Sequence, residues 1–338
     1  MTFHGMHSTV GSAFSAFKQQ YHSRAVCMSG PDPSSIIREF RERPESYRQA
    51  SEKEGEVWGE TFSNAQKKIL FDEDRQAADR LRPTRGLGLR AVLRERNLTF
   101  ESGLSLACGA GRAEREFLRQ GICKRFQGID ISDRAIEEAR RLAADLPLTY
   151  EVADLNHVTL AQNSYDLVTT SSCLHHVLEL EHLAEQIWRS LRPGGYLWIH
   201  DYVGETQFQY SDRRLAVVNR LLAALPERYR RQRLRGGQVM DTFNRPVPGK
   251  LVSPFEAIRS AEIMPVFTRW FDIEFRNEQN SFMALMCGTG TRANYTETED
   301  GPALFELLMA FDALLIENGV LGPHTGLYLM RRREFPET

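Results

Sequence analysis

Residues 103–114 read GLSLACGAGRAE. A short apolar run passes into small residues at Ala107, Gly109, Ala110 and Gly111, and a helical pattern starts directly behind them. This is the layout of a strand that turns through a tight loop into a helix, where backbone N–H groups can closely approach a ligand. Further along, the apolar segment RFQGID closes on Asp130. An acid about 20 residues beyond a glycine loop is the pattern with which doubly wound α/β domains bind a nucleoside ribose. Two glycines with one spacer are a weak signal alone, so the rest of the chain has to carry the reading.

The 338 residues give room for a core domain with appendages and for a substantial apolar interior. With 41% hydrophobic and 26% charged residues the composition is that of an ordinary globular protein. A net charge of −2 gives no global basic excess, so no nucleic acid partner is expected. Five cysteines (Cys27, Cys108, Cys123, Cys173, Cys287) lie far apart with no CxxC pair. That argues against a disulfide framework or a metal site and for a reducing, cytoplasmic setting. No apolar run approaches the length of a membrane span, so no membrane partner is expected. Residues 1–31 lack Asp and Glu and are rich in Ser, weakly similar to a transit peptide, but Arg is scarce and an N-terminal arm fits better.

From Asp32 to about Arg94 the pattern is helical and polar, with prolines as punctuation. Trp58, Phe62, Ile69 and Leu70 share one face at offsets near 3.6, the mark of a helical cap. Strands then alternate with helices: Leu104–Leu106, Arg125–Ile129, Leu148–Val152, Tyr165–Thr170 and Tyr196–His200. Ser132 is placed to cap the helix bearing Ile136, Ala139 and Ala143, and Pro193-Gly194-Gly195 ends the helix bearing Leu183, Ile187 and Leu191. Such alternation predicts an α/β fold, doubly wound around a mostly parallel sheet. The rhythm breaks after Asp201 with an amphipathic helix around Leu215–Leu225 and five arginines between Arg228 and Arg235, then resumes over Phe271–Arg276, Gly301–Glu317 and Leu327–Met330. The expected organisation is therefore an arm and cap over residues 1–95, a core over 96–204, a helical insertion over 205–250 and the rest of the core over 251–338.

In this order the segments LACGAG, GIDIS, ADL (153–155), YDLVTTSSCLHHV and LRPGGYLWI resemble the class I S-adenosylmethionine-dependent methyltransferases. The resemblance implies a seven-stranded Rossmann-like sheet and S-adenosyl-L-methionine as cofactor. It places the methionine part over Ala107, Cys108, Gly109 and Gly111, the ribose hydroxyls on Asp130, and Ile131 beneath the adenine. Asp154 would meet the adenine amino group with Leu155 alongside, and Ser171 and Ser172 would line the methionine and methyl. Two departures stand out: Ala107 where glycine is usual, and Ser105 where an acid is common.

The sulfonium already activates its methyl group, so alignment with the nucleophile is the protein's main task. A base is needed more for a hydroxyl than for an amine. Candidates come from the carboxyl ends of the fourth and fifth strands: His175, His176, His200, Asp201 and Tyr202. His200 is the best placed by sequence and Tyr202 follows, while a histidine pair such as His175-His176 is frequent in the family without catalytic duty. Trp58, Tyr202 or Phe208 could face the sulfonium. The arginine run could hold an anionic small-molecule acceptor. The expected activity is methyl transfer to an O or N nucleophile of a small molecule, the alternatives being cleavage of another bond at sulfur with release of methylthioadenosine, or cofactor binding without turnover. The sequence leaves a homo-oligomer open.

Overall fold

The computed structural model describes residues 32–63, 76–77, 80–81, 88–287 and 290–335. Seven strands make the main sheet: β1 (Phe100–Leu106), β2 (Cys123–Asp130), β3 (Leu148–Val152), β4 (Tyr165–Ser171), β5 (Leu191–Tyr202), β6 (Phe271–Gln279) and β7 (Thr325–Arg332). Their order is β3-β2-β1-β4-β5-β7-β6. The first five run parallel, and β7 is antiparallel to both β5 and β6. This is the mostly parallel, doubly wound α/β sheet that the alternation predicts. The order reverses between β1 and β4, so the crevice beyond their carboxyl ends is where such sheets bind ligands.

β1 is central and its last five residues are buried, as a strand covered on both faces requires. Successive residues feed opposite cores. Val168, Leu197, Ile199 and Tyr328 enter one apolar cluster with Leu183, Ala184 and Ile187, while Leu167, Trp198, Leu327 and Leu329 enter the other.

The flanking helices start where the sequence offers caps. α1 (Pro33–Glu42) opens on Asp32, which accepts from Ser34 N, with Pro33 at the first helical position. α2 (Pro44–Ser63) follows and α3 (Leu89–Glu95) leads into β1. α4 (Arg112–Arg119) begins after Gly111, whose φ of 68° suits glycine. α5 (Asp133–Ala143) is capped by Ser132 and buries Ala135, Ile136, Ala139 and Ala143. α6 (Leu180–Ser190) stops one residue before β5, which starts at Leu191 and runs through Pro193-Gly194 rather than beginning at Tyr196. A register shift between Tyr165 and Leu167 accommodates that early start.

Of the predicted cap face, Trp58 lies on α2, Ile69 and Leu70 fall outside the described residues, as do residues 1–31, and Phe62 is described only as part of the helix. Beyond β5 the chain builds a second apolar core. α7 (Asp212–Ala224) contributes Val218 and Leu222, and α8 (Gly301–Glu317) contributes Phe305, Leu308 and Met309. The insertion and α8 thus share one interior. Residues 255–258 leave it to meet the cap, where Phe255 and Ile258 pack with Ala50, Ile36, Phe40 and Tyr47. Among the described residues, no helix is long and apolar enough to cross a membrane.

Candidate active site

At the carboxyl edge of the sheet a cavity of about 250 Å³ is lined from four directions. β1 and β2 contribute Ala107, Asp130 and Ile131. The turns after β3 and β4 contribute Asp154, Leu155, Asn156, Ser171, Ser172, Cys173, His175 and His176. The cap adds Glu54 and Trp58, and Phe255 arrives from beyond the insertion.

The glycine loop is fixed by Asp130. One carboxylate oxygen accepts from Gly109 N at 2.8 Å and the other from Ser132 N at 2.9 Å. Each oxygen keeps acceptor capacity for a second donor. Burial raises the Asp130 pKa and outweighs the backbone donors of Ser132, Gly109 and Ile131, which lower it. Ala107 takes φ 52° and Gly109 φ 53°. Alanine therefore holds a left-handed conformation normally left to glycine, at a cost of about 1–2 kcal/mol. A methyl on Gly128 would come within 2.8 Å of the Cys108 sulfur and 2.7 Å of the Tyr150 ring.

The Cys108 thiol thus points back at β2 and α5 rather than into the cavity, and burial pushes its pKa up. Neither Cys108, Gly109 nor Gly111 lines the cavity; Gly109 serves it through its N–H to Asp130, and Gly111 through the turn that starts α4. Ser105 stands beside Glu114, a buried residue in the first turn of α4 whose pKa burial raises. A carboxyl is therefore present next to the position that Ser105 leaves without one.

In the turn after β3, Asp154 accepts from Asn156 N at 2.9 Å through one oxygen and from Tyr47 Oη at 2.5 Å through the other. Asn156 in turn accepts from Leu178 N at 2.8 Å and Glu179 N at 2.9 Å, tying the turn after β3 to the start of α6. The cap is held to the core by Tyr47 and by the Arg41–Glu179 pair at 2.9 Å.

The cavity also meets a cluster of imidazoles and carboxylates. Asp201 is fully buried and accepts from Cys173 N at 2.9 Å, Leu174 N at 2.7 Å and His175 Nδ1 at 2.5 Å. Burial draws the His175 pKa down, but Asp201 and then Glu256 outweigh it and lift it to about 10. His176 Nδ1 lies 2.9 Å from a Glu54 oxygen that also accepts from Trp58 Nε1 at 2.7 Å. The Trp58 ring meets that of His176 edge-on with centroids 5.2 Å apart.

His200 and Tyr202, expected as base and sulfonium neighbour, are not part of this cavity. Side chains alternate along a strand, and Asp201 is the residue that faces the site. The His200 carbonyl accepts from Ser172 N at 2.8 Å, and burial lowers its imidazole pKa. Tyr202 turns into the second core, donates to the Glu205 carbonyl at 2.8 Å and packs on Phe208 and His324. Four of the five arginines of the run pair within the chain: Arg228 with Asp300, Arg230 with Asp241, Arg231 with Glu227 and Arg233 with Glu297. Glu54, Asn156, Phe255 and Glu256 escaped the sequence reading because no spacing links them to the core motifs.

Residues 104–199 match the methyltransferase domain family model. The arginine-hydroxylase NDUFAF5 of mouse mitochondria is 30% identical over 110 residues, 32% of this chain and 31% of that protein. The sterol 24-C-methyltransferase of Candida albicans is 26% identical over 136 residues, 38% and 36% of the two chains. The ubiquinone/menaquinone biosynthesis C-methyltransferase UbiE of Desulfotalea psychrophila is 29% identical over 92 residues, 27% and 37%. The chain spans about a third of the length of these curated relatives. Among solved structures, an S-adenosylmethionine-dependent methyltransferase from Mesorhizobium loti aligns with TM-score 0.41 at 20% identity, over 72% of this chain and 96% of that one. Residues 104–199 thus carry a methyltransferase domain of the kind that uses S-adenosyl-L-methionine as cofactor.

Proposed function

We propose that the chain moves the methyl group of S-adenosylmethionine to an oxygen or nitrogen nucleophile of a small-molecule acceptor by in-line displacement. The observation that carries this is the composition of one cavity. Its lining joins acids and small residues suited to a nucleoside and an amino acid with Glu54, His175 and His176, polar groups suited to a nucleophile, and Glu256 stands beside the two histidines. Asp130 would take the ribose hydroxyls with its remaining lone pairs. Ile131 and Leu155 would flank the adenine, Asp154 would meet its amino group, and the loop Ala107–Gly111 with Ser171 and Ser172 would hold the methionine part. Trp58 offers a ring face to the sulfonium. The cofactor supplies an electrophilic methyl, so the chain's own contribution is to align the acceptor and to exclude water beneath the cap and Phe255.

The test is mass spectrometry of the by-product after incubation of the full chain with S-adenosylmethionine and a small-molecule cell extract. S-adenosylhomocysteine together with a methylated acceptor supports methyl transfer. Methylthioadenosine would instead assign cleavage of another bond at sulfur, and tight cofactor binding with neither product would assign binding without turnover.

A further inference from the structure

Three side chains from two parts of the chain converge beside the cavity. His175 and His176 come from the turn after β4, and Glu256 from the segment that returns from the insertion. One ligand atom from each lies within 4.8 Å of the others. The outer nitrogens of the rings are engaged at short range, His175 Nδ1 with Asp201 at 2.5 Å and His176 Nδ1 with Glu54 at 2.9 Å. Ser253 Oγ is a further neighbour of His176 Nδ1 at 3.4 Å. The inner nitrogens stand off from Glu256, His175 Nε2 by 3.5 Å and His176 Nε2 by 3.9 Å.

These separations are long for hydrogen bonds between a carboxylate and an imidazole, whose usual range is about 2.7 to 3.2 Å. They are within reach of ligand atoms sharing one ion: at about 2.0 to 2.2 Å from a tetrahedral centre, ligand atoms stand about 3.3 to 3.6 Å apart, which 3.5 Å matches and 3.9 Å exceeds by a few tenths of an ångström. A carboxylate on the outer nitrogen is also the arrangement that orients a metal-binding histidine and leaves its other nitrogen to the metal. Here both histidines have one. We propose that His175 Nε2, His176 Nε2 and Glu256 bind one divalent transition-metal ion of the zinc type, with Asp201 and Glu54 orienting the two rings. On entry the ion takes the place of any proton on Nε2, which leaves to solvent. Two imidazoles and one carboxylate leave a coordination position open, as in sites that bind water or substrate. His175 and His176 line the cavity, so that position adjoins the place assigned above to the acceptor, and an acceptor oxygen would complete the site. The role as acceptor ligand rests on the methyl-transfer reading; the binding of the ion does not.

The experiment is titration of the chelator-stripped full chain with Co²⁺, followed by its visible d–d absorption and by Zn²⁺ competition, in the wild type and in Glu256→Gln and His176→Gln. The expected result is one equivalent bound without a thiolate charge-transfer band, weakened at least about tenfold in each variant. Circular dichroism and cofactor calorimetry on the same samples establish that the variants are folded and bind cofactor. No stoichiometric binding, binding with a thiolate band, or binding unchanged in both folded variants would overturn the site. Absence of any methylated product would sink the methyl-transfer reading and leave the titration readable.

Discussion

Replacing Asp130 by Asn separates cofactor binding from loop architecture. In the wild type the two carboxylate oxygens each accept a backbone N–H, Gly109 at 2.8 Å and Ser132 at 2.9 Å, and each retains capacity for a ribose hydroxyl. The amide has one acceptor oxygen. Its NH₂ group faces either Gly109 N or Ser132 N, so one buried donor goes unpaired, at about 1–3 kcal/mol. Part of this is returned, because burial penalises the charged carboxylate and raises its pKa, whereas an amide carries no charge. Stability should therefore fall only by the lower end of that range, about 1 kcal/mol. Binding has no such compensation. One hydroxyl loses a charge-assisted bond of about 1.5–3 kcal/mol, which is about tenfold to 150-fold in Kd. Urea unfolding measures the first quantity and calorimetric titration with S-adenosylhomocysteine the second. A Kd within about threefold of wild type, with the fold intact, would refute the assignment of Asp130 to the ribose.

Asp312 on α8 accepts from Ser281 N, Phe282 N, Met283 N and Ser281 Oγ, so Asp312→Ala strands three buried N–H groups and should cost at least about 3 kcal/mol in urea unfolding; a loss below about 1 kcal/mol would contradict that accounting. Gly128→Ala drives a methyl into Tyr150 and the Cys108 sulfur, with an expected loss of about 1–3 kcal/mol and weaker cofactor binding as the loop shifts; a melting temperature and Kd equal to wild type would show that β2 has slack there. Arg259 is buried and binds the Leu178 carbonyl, Glu181 and Glu262, so Arg259→Ala should lose about 2 kcal/mol. Arg259 also holds the Glu181 carboxyl down from 4.5 to about 2. That contribution is present above pH 4.5 and is lost as pH falls toward 2; Glu181 is largely exposed, so solvent screens it. The denaturation midpoint of the wild type should fall more steeply than that of Arg259→Ala across this window, and parallel profiles would remove the pair as a source of acid sensitivity.

The sequence carried the core of the fold because parallel strands need crossover helices, and most junctions here are punctuated by a residue with a local reason to be there. Ser132 caps α5, Gly111 turns into α4, and Asp130 and Asp154 both line one cavity. What stayed hidden has a common cause. Tyr47 reaches Asp154, Glu54 reaches His176, and Glu256 meets the histidine pair from segments that precede or follow the core, with no periodicity to relate them. The neighbour of Ser105 was hidden in another way, because Glu114 reads as an ordinary acid in the first turn of a helix until the turn is seen lying over β1.

The choice between His200 and His175 could have been made from strand parity. Along β5, Leu197 and Ile199 enter the apolar cluster shared with α6, so Asp201, two residues on, continues the face that ends at the site. Trp198 enters the opposite cluster, and His200 and Tyr202 continue that other face. An imidazole at position 200 is thus turned away by the same alternation that makes β5 a good core strand. The acid beside it is what reaches the turn after β4, where it fixes two backbone N–H groups and His175. The polar end of the cavity is in this sense an extension of the sheet. Asp201 sets the turn and the turn sets the histidine pair, while Glu256 and Glu54, from segments outside the core, decide what that pair can hold.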